Sequence, residues 1–514
     1  MYLTQGLHRA LRHTSQLPAT IFGGRVRTVA EHADRVARLA GGLRSLGVYE
    51  GERVAVLSLN SDRYTELLMA VPWANGVLNP VNTRWSPEEI IYSLADSETS
   101  VLVVDDAFVP VVDQLIERCH GLQAVVHAGE GPAAGGAVGY EDLVAASASA
   151  PDARRGGDAL AAILYTGGTT GSPKGVMLTH ANILSSVLGG QATFPFARPG
   201  GRFLHAAPMF HGGVLAAWAA QWMVGGSHAV VPAFDPVAVM TAIEQHRATH
   251  LLLVPTMIHR LVDHPDRDSY DLSSVHGIAY GGSPIARALL RRAMETFPGA
   301  DFVQVFGMTE VSIGTLLGPD DHRRGDRLGS AGQAAAHCEV RVVDDGGHEV
   351  PRGTVGEIAV QGGSVMTGYW GKPQETAAAL RGGWMHTGDA GHMDQDGYLF
   401  VVDRLKDMII SGGENIYSSE VENALGLHPA VAACAVIGVP DDSWGERVHA
   451  VVVLKPGAEA TLEELRRHTS GIVAGYKAPR SVEFVDALPL SGAGKVLKRE
   501  LRARYTGRAE RPVN

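Results

Sequence analysis

Residues 165–175 combine the side chains that proteins use to bind phosphate. They read Tyr-Thr-Gly-Gly-Thr-Thr-Gly-Ser-Pro-Lys-Gly and follow the apolar run 159–164, whose composition predicts a buried strand. Such a loop presents backbone N–H groups, hydroxyls and one ammonium together, so it can close around polyphosphate oxygens. Because Pro173 stands where a Walker A loop requires its second glycine, the pattern indicates a phosphate-binding loop of another kind. The alternative, a surface turn without a ligand, does not account for several hydroxyls beside a lysine.

Carboxylates and a second lysine in a glycine loop stand further along the chain. Thr309 and Glu310 come shortly after 302–306, Phe-Val-Gln-Val-Phe, which is predicted to be a strand, and ligands in open α/β sheets collect at the carboxyl ends of strands. A glutamate there can hold Mg²⁺, which prefers oxygen ligands and bridges phosphates. Asp389, within His-Thr-Gly-Asp, suits a pair of ribose hydroxyls, and Lys495 ends the loop Ser-Gly-Ala-Gly-Lys. Each motif alone is also compatible with an ordinary turn or helix start.

The order of these motifs resembles that of the adenylate-forming enzymes. The phosphate loop is followed by Phe-Gly-Met-Thr-Glu, His-Thr-Gly-Asp, Asp-Arg-Leu-Lys-Asp and Gly-Ala-Gly-Lys, and the resemblance covers nearly the whole chain. That superfamily includes acyl-CoA synthetases, aryl-CoA ligases, firefly luciferase and the adenylation domains of peptide synthetases. The segment 407–417 looks like the acyl-CoA synthetase form, and the overall pattern is most similar to bacterial fatty-acyl-CoA synthetases. Two departures are Gly168, where many relatives have Ser, and Phe306, where Tyr is frequent.

The resemblance implies an ATP- and Mg²⁺-dependent ligase that joins a carboxylic acid to CoA. The acid attacks the α-phosphate of ATP, and the CoA thiol then attacks the resulting acyl-AMP. By this resemblance, Lys495 bridges the carboxylate and the α-phosphate. Thr309 contacts that phosphate, Glu310 holds Mg²⁺, and His211 stands between the acid and the thiol path. The remaining nucleotide contacts fall on Thr166, Gly167, Thr169, Thr170 and Lys174 for the phosphates, on Gly281, Gly282, Gln304 and Phe306 for the adenine, and on Asp389 and Arg404 for the ribose.

Members of this superfamily perform both attacks in one site by rotating the C-terminal domain, and the resemblance assigns residues to that motion. Lys406 falls at the hinge, and the loop of Gly412 and Gly413 would replace the Lys495 loop beside pantetheine in the second step. Glycines suit this place because a bare backbone lets a thiol-bearing chain pass closely. The nucleotide end of CoA would meet Trp444, Lys477 and Arg480, for which ordinary surface roles are the alternative.

The predicted substrate is an apolar acid. Residues 212–215, Gly-Gly-Val-Leu, bring no charge to the expected acyl pocket, which favours a medium- or long-chain fatty acid. An aryl acid such as a benzoate or cinnamate is the alternative, since motif spacing does not reveal pocket chemistry. His211 has a second interpretation as a core histidine, and Trp218 and Trp222 are expected to pack a helix rather than line the pocket. Two other functional classes stay open: an adenylating enzyme that loads a carrier protein or feeds another nucleophile, and a non-catalytic nucleotide-binding module.

Composition narrows the classes of function further. The chain of 514 residues has 44 Lys and Arg against 55 Asp and Glu, a formal charge of −11, so nothing global favours nucleic-acid binding. Its three cysteines, Cys119, Cys338 and Cys434, lack metal-ligand spacing and suit a reducing cytoplasm. We expect a cytoplasmic location, no transmembrane segment and no signal peptide. A homodimer is left open.

The elements that must position these motifs alternate between apolar runs and helical periods. This alternation predicts an α/β fold whose parallel sheets are covered by helices. We expect a large N-terminal domain, 1–402, made of two helix-covered sheets plus a small β-rich subdomain that begins near residue 328. A hinge follows at 403–406, and a small mobile α+β domain occupies 407–514.

Capping signals predict where three helices begin. Thr28 and Glu31 have capping-box spacing before a helical pattern at 29–46. Ser86 precedes Pro-Glu-Glu at the start of a second helix. In the C-terminal domain, a helix is predicted to begin near 418–419, where Ser419 and Glu422 have the same capping-box spacing.

Overall fold

The computed structural model describes residues 1–133, 136–166, 173–441, 443–490 and 496–505. The chain divides into two compact units: the first comprises Met1–Val340 and Val360–Met385, and the second comprises Arg341–Ala359 and His386–Asn514. The second unit includes 386–402, which the sequence pattern assigned to the N-terminal domain, and a hinge at 403–406 stays a prediction. Within the described residues, no helix combines the length and apolar character that a membrane span requires.

In these ranges the α-helices are α1 (Gln5–His13), α2 (Val29–Ser45), α3 (Asp62–Trp73), α4 (Pro87–Asp96), α5 (Val109–Arg118), α6 (Tyr140–Ala146), α7 (His180–Thr193), α8 (Gly212–Val224), α9 (Pro236–His246), α10 (Pro255–Val262), α11 (Arg287–Thr296), α12 (Pro319–Arg324), α13 (Pro373–Ala379), α14 (Ser418–Gly426), α15 (Leu462–Ser470) and α16 (Lys498–Ala503).

The strands in the same ranges are β1 (Pro18–Phe22), β2 (Arg25–Thr28), β3 (Arg53–Leu57), β4 (Val77–Pro80), β5 (Val101–Val104), β6 (Ala124–His127), β7 (Val138–Gly139), β8 (Leu160–Thr166), β9 (Lys174–Thr179), β10 (Arg202–His205), β11 (Ser227–Val230), β12 (His250–Leu253), β13 (Gly277–Gly281), β14 (Asp301–Phe306), β15 (Thr315–Leu317), β16 (Gln333–Ala334), β17 (Cys338–Val343), β18 (Gly356–Gly362), β19 (Gly368–Tyr369), β20 (Leu380–Arg381), β21 (Trp384–Met393), β22 (Leu399–Arg404), β23 (Ile409–Ser411), β24 (Glu414–Ile416), β25 (Val431–Asp441), β26 (Gly445–Leu454) and β27 (Ser481–Phe484).

Two large sheets form the first unit, as the sequence predicted. The nine-stranded sheet has the order β16-β15-β14-β13-β12-β10-β11-β1-β2, and the eight-stranded sheet has the order β19-β9-β8-β4-β3-β5-β6-β7. In the nine-stranded sheet, β12, β13 and β14 run parallel, so their carboxyl ends lie at one edge. In the eight-stranded sheet, Leu57 and Val104 pack with Ile90 of α4 and Leu115 of α5 in one buried cluster.

The predicted β-rich subdomain is a five-stranded sheet of β17, β18, β20, β21 and β22.

The second unit contains an α+β fold around the long hairpin of β25 and β26. Alternate residues of these strands face opposite sides, as the period of a strand requires. On one side Val436 and Val448 pack with Val421 and Leu425 of α14. On the other side Ile437, Val451 and their neighbours pack with Leu501 of α16. The hairpin therefore connects two small cores.

Local signals predicted all three helix starts correctly, and two of the three capping boxes are present. Thr28 caps α2 and Ser86 caps α4, each in a capping box with the glutamate three residues later. The predicted capping box of Ser419 and Glu422 is wrong, although α14 does begin at Ser418.

The cap of α14 is supplied by a distant residue instead. Asp403 Oδ2 accepts hydrogen bonds from the Ser418 hydroxyl at 2.6 Å and from the Ser419 backbone N–H at 3.2 Å. Glu422 is occupied elsewhere, because its Oε1 lies 2.7 Å from Lys498 Nζ and accepts a bond from the Val436 backbone. An ion pair with a residue far along the chain thus replaced the local bond.

Candidate active site

The two ends of the predicted phosphate loop lie opposite each other in the first unit. β8 and β9 pair antiparallel, and Thr166 is the register partner of Lys174. The predicted strand before the loop is confirmed, and the loop itself joins a β-hairpin. Three predicted phosphate ligands, Gly167, Thr169 and Thr170, lie outside the described residues. Because the hairpin fixes both flanking strands, a ligand bound by the loop would lie beside Lys174.

Lys174 and Glu310 both contact Tyr369. The Lys174 Nζ lies 5.1 Å from the centroid of the Tyr369 ring, within the range of a cation–π interaction. The Tyr369 hydroxyl donates a 2.9 Å hydrogen bond to Glu310 Oε1. Both partners are buried, since Glu310 is 5% exposed and Tyr369 is 8% exposed. Burial and the neighbouring carboxylate raise the pKa of the Tyr369 phenol well above its ordinary value, so Tyr369 acts as a hydrogen-bond donor.

A tight turn after β14 presents Thr309 and Glu310 as the sequence predicted. The backbone oxygen of Met308 accepts from the Ser312 N–H at 2.7 Å, and Ser312 has a left-handed φ of +64°. Gly307 is required here, because a Cβ at this position would lie 1.8 Å from the Ser312 carbonyl oxygen. The Glu310 backbone oxygen accepts a 2.8 Å bond from the Met366 N–H. The turn is therefore held from two sides.

The predicted adenine-binding residues lie at the adjacent ends of β13 and β14. Gly281 pairs with Val305 in the parallel register, and a Cβ at Gly281 would lie 2.2 Å from the Val305 carbonyl oxygen. Gly282 follows with a φ of +80°. Gln304 Oε1 accepts a 3.2 Å hydrogen bond from Tyr280. A carbonyl oxygen has two lone pairs, so Gln304 retains one acceptor position for an adenine amino group. Phe306, the last residue of β14, is half-buried.

His211 stands at the N-terminus of α8, in a loop that a distant asparagine fixes. Asn60 Nδ2 donates to the Ala207 carbonyl at 3.0 Å, and Asn60 Oδ1 accepts from the Met209 N–H at 2.8 Å. The His211 ring is half-buried and its centroid lies 4.3 Å from that of Phe210. The core-histidine interpretation does not fit this partial exposure. In the same helix, Trp218 and Trp222 are almost completely buried, as their predicted packing role requires.

The start of α8 lies beside the turn that carries Thr309. A Cβ built on Gly212 would lie 3.4 Å from Leu164 Cδ1 and 4.0 Å from Thr309 Cγ2. A Cβ built on Gly213 would lie 3.7 Å from Leu252 Cδ2. The end of β8, the end of β12 and the Thr309 turn therefore meet the bare backbone at the start of α8. The two glycines and the three side chains beside them are all uncharged.

In the second unit, Asp389 and Arg404 form the predicted pair. They are register partners in β21 and β22, and Arg404 Nε lies 2.5 Å from Asp389 Oδ1. Gly388 has a φ of +70°, and its N–H donates to Glu357. Thr387 holds the turn, since its hydroxyl accepts from the Asp389 N–H at 3.1 Å. A buried carboxylate that already accepts from a guanidinium suits hydroxyl donors such as those of a ribose.

Lys406 lies in the predicted hinge of the same unit and is half-buried. Burial lowers the pKa of Lys406 to about 8, an effect that Asp407 partly opposes and Arg404 reinforces. Asp407 in turn pairs with Arg502 of α16 at 2.7 Å. The ammonium of Lys406 is therefore held where its charged form is disfavoured.

The turn between β23 and β24 consists of the two glycines predicted to adjoin pantetheine. Gly412 and Gly413 have φ values of +62° and +83°. The Gly412 N–H donates a 2.8 Å bond to the Trp444 carbonyl, and a Cβ at Gly412 would lie 2.7 Å from Trp444 Cε3. The Arg480 guanidinium lies 4.1 Å from the centroid of the Trp444 ring. Lys477, the third residue predicted for CoA, forms an ion pair with Glu420 at 2.7 Å.

Lys495 lies outside the described residues, but both flanks of its loop are described. Leu490 and Val496 form an isolated antiparallel bridge, and the Leu497 N–H donates to the Pro489 carbonyl at 2.8 Å. Helix α16 follows, and its first residue, Lys498, is fixed by Glu422. The loop is therefore closed at its base.

Sequence reasoning missed two contributors to the site, Tyr369 and Asp96. Asp96 Oδ2 accepts a 2.7 Å hydrogen bond from Tyr165, the residue just before the phosphate loop. The Asp96 backbone oxygen accepts a 2.9 Å bond from the Trp370 indole. No local pattern could have found either contact, because each joins segments that are far apart in the chain. An aromatic pair directly after a glycine, as in Gly368-Tyr369-Trp370, was the one available signal.

The described residues of the first unit supply the groups that a magnesium nucleotide requires. Glu310 offers a carboxylate for the cation, Lys174 an ammonium for phosphate oxygens, and Thr309 a hydroxyl. Within the described part of the chain, no three His, Cys, Asp or Glu side chains form a metal-binding group. Among the described residues, Glu310 would supply the carboxylate for the cation of a bound magnesium nucleotide. These residues fit the predicted nucleotide.

Comparison with known proteins identifies the family. The AMP-binding enzyme family matches residues 7–370, and the AMP-binding enzyme C-terminal domain matches residues 420–495. A feruloyl-CoA synthase of Amycolatopsis is 43% identical over 498 residues, covering 97% of this chain and 98% of that protein. A fatty acid–[acyl-carrier-protein] ligase of Streptomyces coeruleorubidus is 36% identical over 512 residues, covering 98% and 96%.

A solved structure agrees with this assignment. The amide bond synthetase of Marinactinospora thermotolerans matches with a TM-score of 0.88 at 33% identity. The match covers 98% of this chain and 100% of that chain. The match extends over both units of the chain, so it includes the α/β sheets and the C-terminal α+β fold. The chain therefore belongs to the AMP-binding enzyme family, and the prediction of an adenylate-forming acid–thiol ligase is confirmed.

Proposed function

We propose that this enzyme joins an aromatic acid of the hydroxycinnamate class to CoA, through an acyl-AMP, with release of pyrophosphate and AMP. The observation that carries the choice of acid is the 43% identity to a feruloyl-CoA synthase over nearly the full length of both chains. The sequence pattern alone favoured a medium- or long-chain fatty acid, with an aryl acid as the alternative. The relative with higher identity supports the aryl acid, and the fatty acid becomes the alternative.

The geometry beside Thr309 supports an apolar acid. Leu164, Leu252 and Thr309 face the bare backbone of Gly212 and Gly213 at 3.4–4.0 Å from where Cβ atoms would lie. The glycines leave about the room of a methyl group here, because a Cβ on Gly212 would already be in van der Waals contact with Leu164. The uncharged neighbours avoid the cost of burying a charge beside an apolar acid. The carboxylate of such an acid would point toward the phosphate-binding residues.

Activation is necessary because a carboxylate carbon is electron-rich and oxide is a poor leaving group. The acid oxygen bonds to the α-phosphorus, the bond to the β-phosphate bridge oxygen breaks, and pyrophosphate leaves. Negative charge accumulates on phosphate oxygens during this step, so ammonium groups and hydroxyl donors should stabilise it. Lys174 and Thr166 would hold the β- and γ-phosphates, and Thr309 the α-phosphate.

Other groups complete the adenylation site in this proposal. Glu310 would hold a Mg²⁺, whose charge would offset that of the phosphates. Lys495 would bring its ammonium to the carboxylate and α-phosphate. Asp389 would accept hydrogen bonds from the ribose hydroxyls, and Arg404 would hold that carboxylate in place.

The thiol step would use the second unit. The CoA sulfur bonds to the acyl carbon, the acyl–phosphate bond breaks, and AMP leaves. The left-handed turn of Gly412 and Gly413 would adjoin pantetheine, because its backbone carries no side chains. The Trp444 indole, with Arg480 on its face at 4.1 Å, offers a stacking surface and a cation for the nucleotide end of CoA. Lys477, held by Glu420, would have a structural role.

The test is CoA-dependent AMP formation across a panel of acids. The panel contains acetate through palmitate, benzoate, cinnamate and ferulate, each assayed with and without CoA. We expect the highest kcat/KM with ferulate or another hydroxycinnamate. A maximum at palmitate or another fatty acid would reject the aromatic acid and keep the ligase reaction.

A Lys495→Ala variant separates the two half-reactions. We expect it to lose pyrophosphate release from ATP and acid, while it still transfers supplied feruloyl-AMP to CoA. The reason is that Lys495 is assigned to the first transition state only. Equal loss in both half-reactions would reject this role for Lys495.

A second candidate function differs in the acceptor. One relative is a fatty acid–[acyl-carrier-protein] ligase and one structural match is an amide bond synthetase, so the acyl group of this enzyme could pass to a carrier protein or an amine. A comparison of acyl transfer to the different acceptors distinguishes the two candidate functions directly. Acyl transfer to a carrier protein or amine that exceeds transfer to CoA would favour the second function.

A further inference from the structure

Tyr369 contacts two predicted nucleotide-binding groups at once. Its ring lies 5.1 Å from Lys174 Nζ, and its hydroxyl donates a 2.9 Å hydrogen bond to Glu310 Oε1. One contact is to the group assigned to phosphate, and the other is to the group assigned to Mg²⁺. The two residues lie far apart in the sequence: Lys174 is the first residue of β9, and Glu310 follows β14. A single buried side chain therefore relates the phosphate-binding cation to the metal-binding carboxylate.

The backbone around Tyr369 is fixed to the phosphate-loop hairpin. β19 pairs antiparallel with β9, with Tyr369 opposite Val176. The next residue, Trp370, donates its N–H to the Gly175 carbonyl at 2.8 Å. Lys174 is the first residue of β9. The strand that contains Lys174 is therefore the one with which the strand of Tyr369, β19, is paired. These backbone bonds therefore fix the Cα of Tyr369 beside the strand that begins with Lys174.

A second set of bonds ties the same segment to Glu310 and to the other strand of the hairpin. The Met366 N–H donates to the Glu310 backbone oxygen at 2.8 Å. The Trp370 indole donates to the Asp96 carbonyl at 2.9 Å, and the Asp96 carboxylate accepts from the Tyr165 hydroxyl at 2.7 Å. Segment 366–370 is therefore bonded directly to β9 and to the turn that carries Glu310, and it is linked to β8 through Asp96.

We propose that Tyr369 is a positioning residue that sets the placement of the Lys174 ammonium relative to the Glu310 carboxylate. The ring attracts the ammonium, and the hydroxyl orients the carboxylate. Opposite charges that share a site attract each other, and a direct pair between them would occupy the groups that phosphate and Mg²⁺ need. Contact through Tyr369 gives each charge a neutral partner instead. This inference rests on the proposed nucleotide site and adds the residue that organises it.

Two substitutions separate the roles of the ring and the hydroxyl. Tyr369→Phe keeps the ring beside Lys174 and removes the donor to Glu310. Tyr369→Leu removes both. The readout is the equilibrium binding of ATP, which is measured by calorimetry. Binding is measured first in EDTA and then as Mg²⁺ is titrated in. EDTA reports the phosphate-binding cation alone, and the titration reports the carboxylate.

We expect Tyr369→Phe to bind ATP in EDTA as the wild type does and to need about tenfold more Mg²⁺ for half-maximal tightening. Tyr369→Leu should show the same Mg²⁺ shift and, in addition, bind ATP in EDTA about three- to fivefold more weakly. The matched control is Tyr92→Phe, which removes a neighbouring hydroxyl that contacts Asp96 at 3.4 Å. That variant should bind as the wild type does in both conditions.

The proposal is overturned if Tyr369→Phe keeps the wild-type Mg²⁺ requirement. It is also overturned if both Tyr369 variants lose thermal stability while the folded protein binds ATP and Mg²⁺ normally, since that result describes a purely structural side chain. Binding curves keep this test separate from the proposed reaction. A wild type that binds ATP with Mg²⁺ but activates none of the acids would reject the proposed function and leave the Tyr369 experiment decisive.

Discussion

Replacing Gly412 by alanine tests whether the glycine turn and Trp444 form one surface for CoA. Gly413→Ala is the matched comparison, because it adds the same methyl group to the turn proposed to adjoin pantetheine without meeting Trp444. Both glycines have positive φ, +62° and +83°. Alanine in the left-handed region costs about 1–2 kcal/mol, so both variants carry a similar backbone penalty. Only at Gly412 does the new Cβ meet a neighbour, Trp444 Cε3 at 2.7 Å. At Gly413 no atom of the described residues lies within 4 Å.

The contact distance determines how the two variants differ. Carbon atoms at 2.7 Å are far inside van der Waals contact, so the Trp444 indole must shift when Gly412 is replaced. The indole lies 4.1 Å from the Arg480 guanidinium, and losing that cation–π contact at an exposed site costs about 0.5–1 kcal/mol. The free energy of unfolding should therefore fall only slightly more in Gly412→Ala than in Gly413→Ala.

CoA binding should separate the variants much more clearly than stability does. Stacking of a base on an aromatic side chain contributes about 1–3 kcal/mol, so a displaced indole should raise the KM for CoA about tenfold or more. The assay measures thioester formation from supplied feruloyl-AMP at varied CoA, with pyrophosphate release in the absence of CoA as the reference. We expect both variants to release pyrophosphate normally. Equal KM values for CoA in the two variants would refute the argument.

Three further predictions concern pH, stability and substrate size. Burial lowers the pKa of Lys406 from 10.5 to about 8. Between these pH values the unfolded chain binds more protons than the folded chain, so the free energy of unfolding rises with pH. The Lys406→Met variant should lose that rise when denaturant titrations at pH 8 and pH 10.5 are compared. Glu66 is fully buried and accepts two bonds from Arg35 at 2.6 and 3.0 Å, so Glu66→Gln should lower the unfolding free energy by about 3–5 kcal/mol, and a urea midpoint equal to wild type would contradict this. Gly212→Ala should fold normally, because its Cβ has ordinary contacts at 3.4 and 4.0 Å, and should raise the KM for ferulate more than that for acetate.

Local signals in the sequence predicted the elements well where the physical cause is local. The capping boxes that begin at Thr28 and Ser86 each depend on residues three positions apart, and both are present. The strand before the phosphate loop and the strand before Thr309 were also predicted, because a run of apolar residues is sufficient to indicate burial. The α14 cap failed since Glu422 pairs with Lys498, and such a long-range ion pair leaves no local signal.

The same distinction explains which parts of the candidate site could be predicted. Thr166, Lys174 and Glu310 stand in short motifs, because a magnesium polyphosphate would demand the same hydroxyl, ammonium and carboxylate at the same spacing whatever acid is bound. Tyr369 was missed because its two contacts depend on how β19 pairs with β9. Sheet register between distant strands is a property of the whole fold, and a single motif does not specify it.

The proposed acid-binding side of the site is lined by a different kind of residue from the nucleotide side. In the proposed site, its boundary at Gly212 would be a missing side chain, and its walls would come from Leu164 in β8 and Leu252 in β12. Apolar side chains of this kind serve equally as ordinary core, so their identity does not announce a ligand. Their selectivity comes from the volume they leave, which depends on packing among several elements rather than on residue type. For this reason the reaction class follows from the motifs, whereas the proposed acid rests on full-length similarity and is decided by the substrate panel.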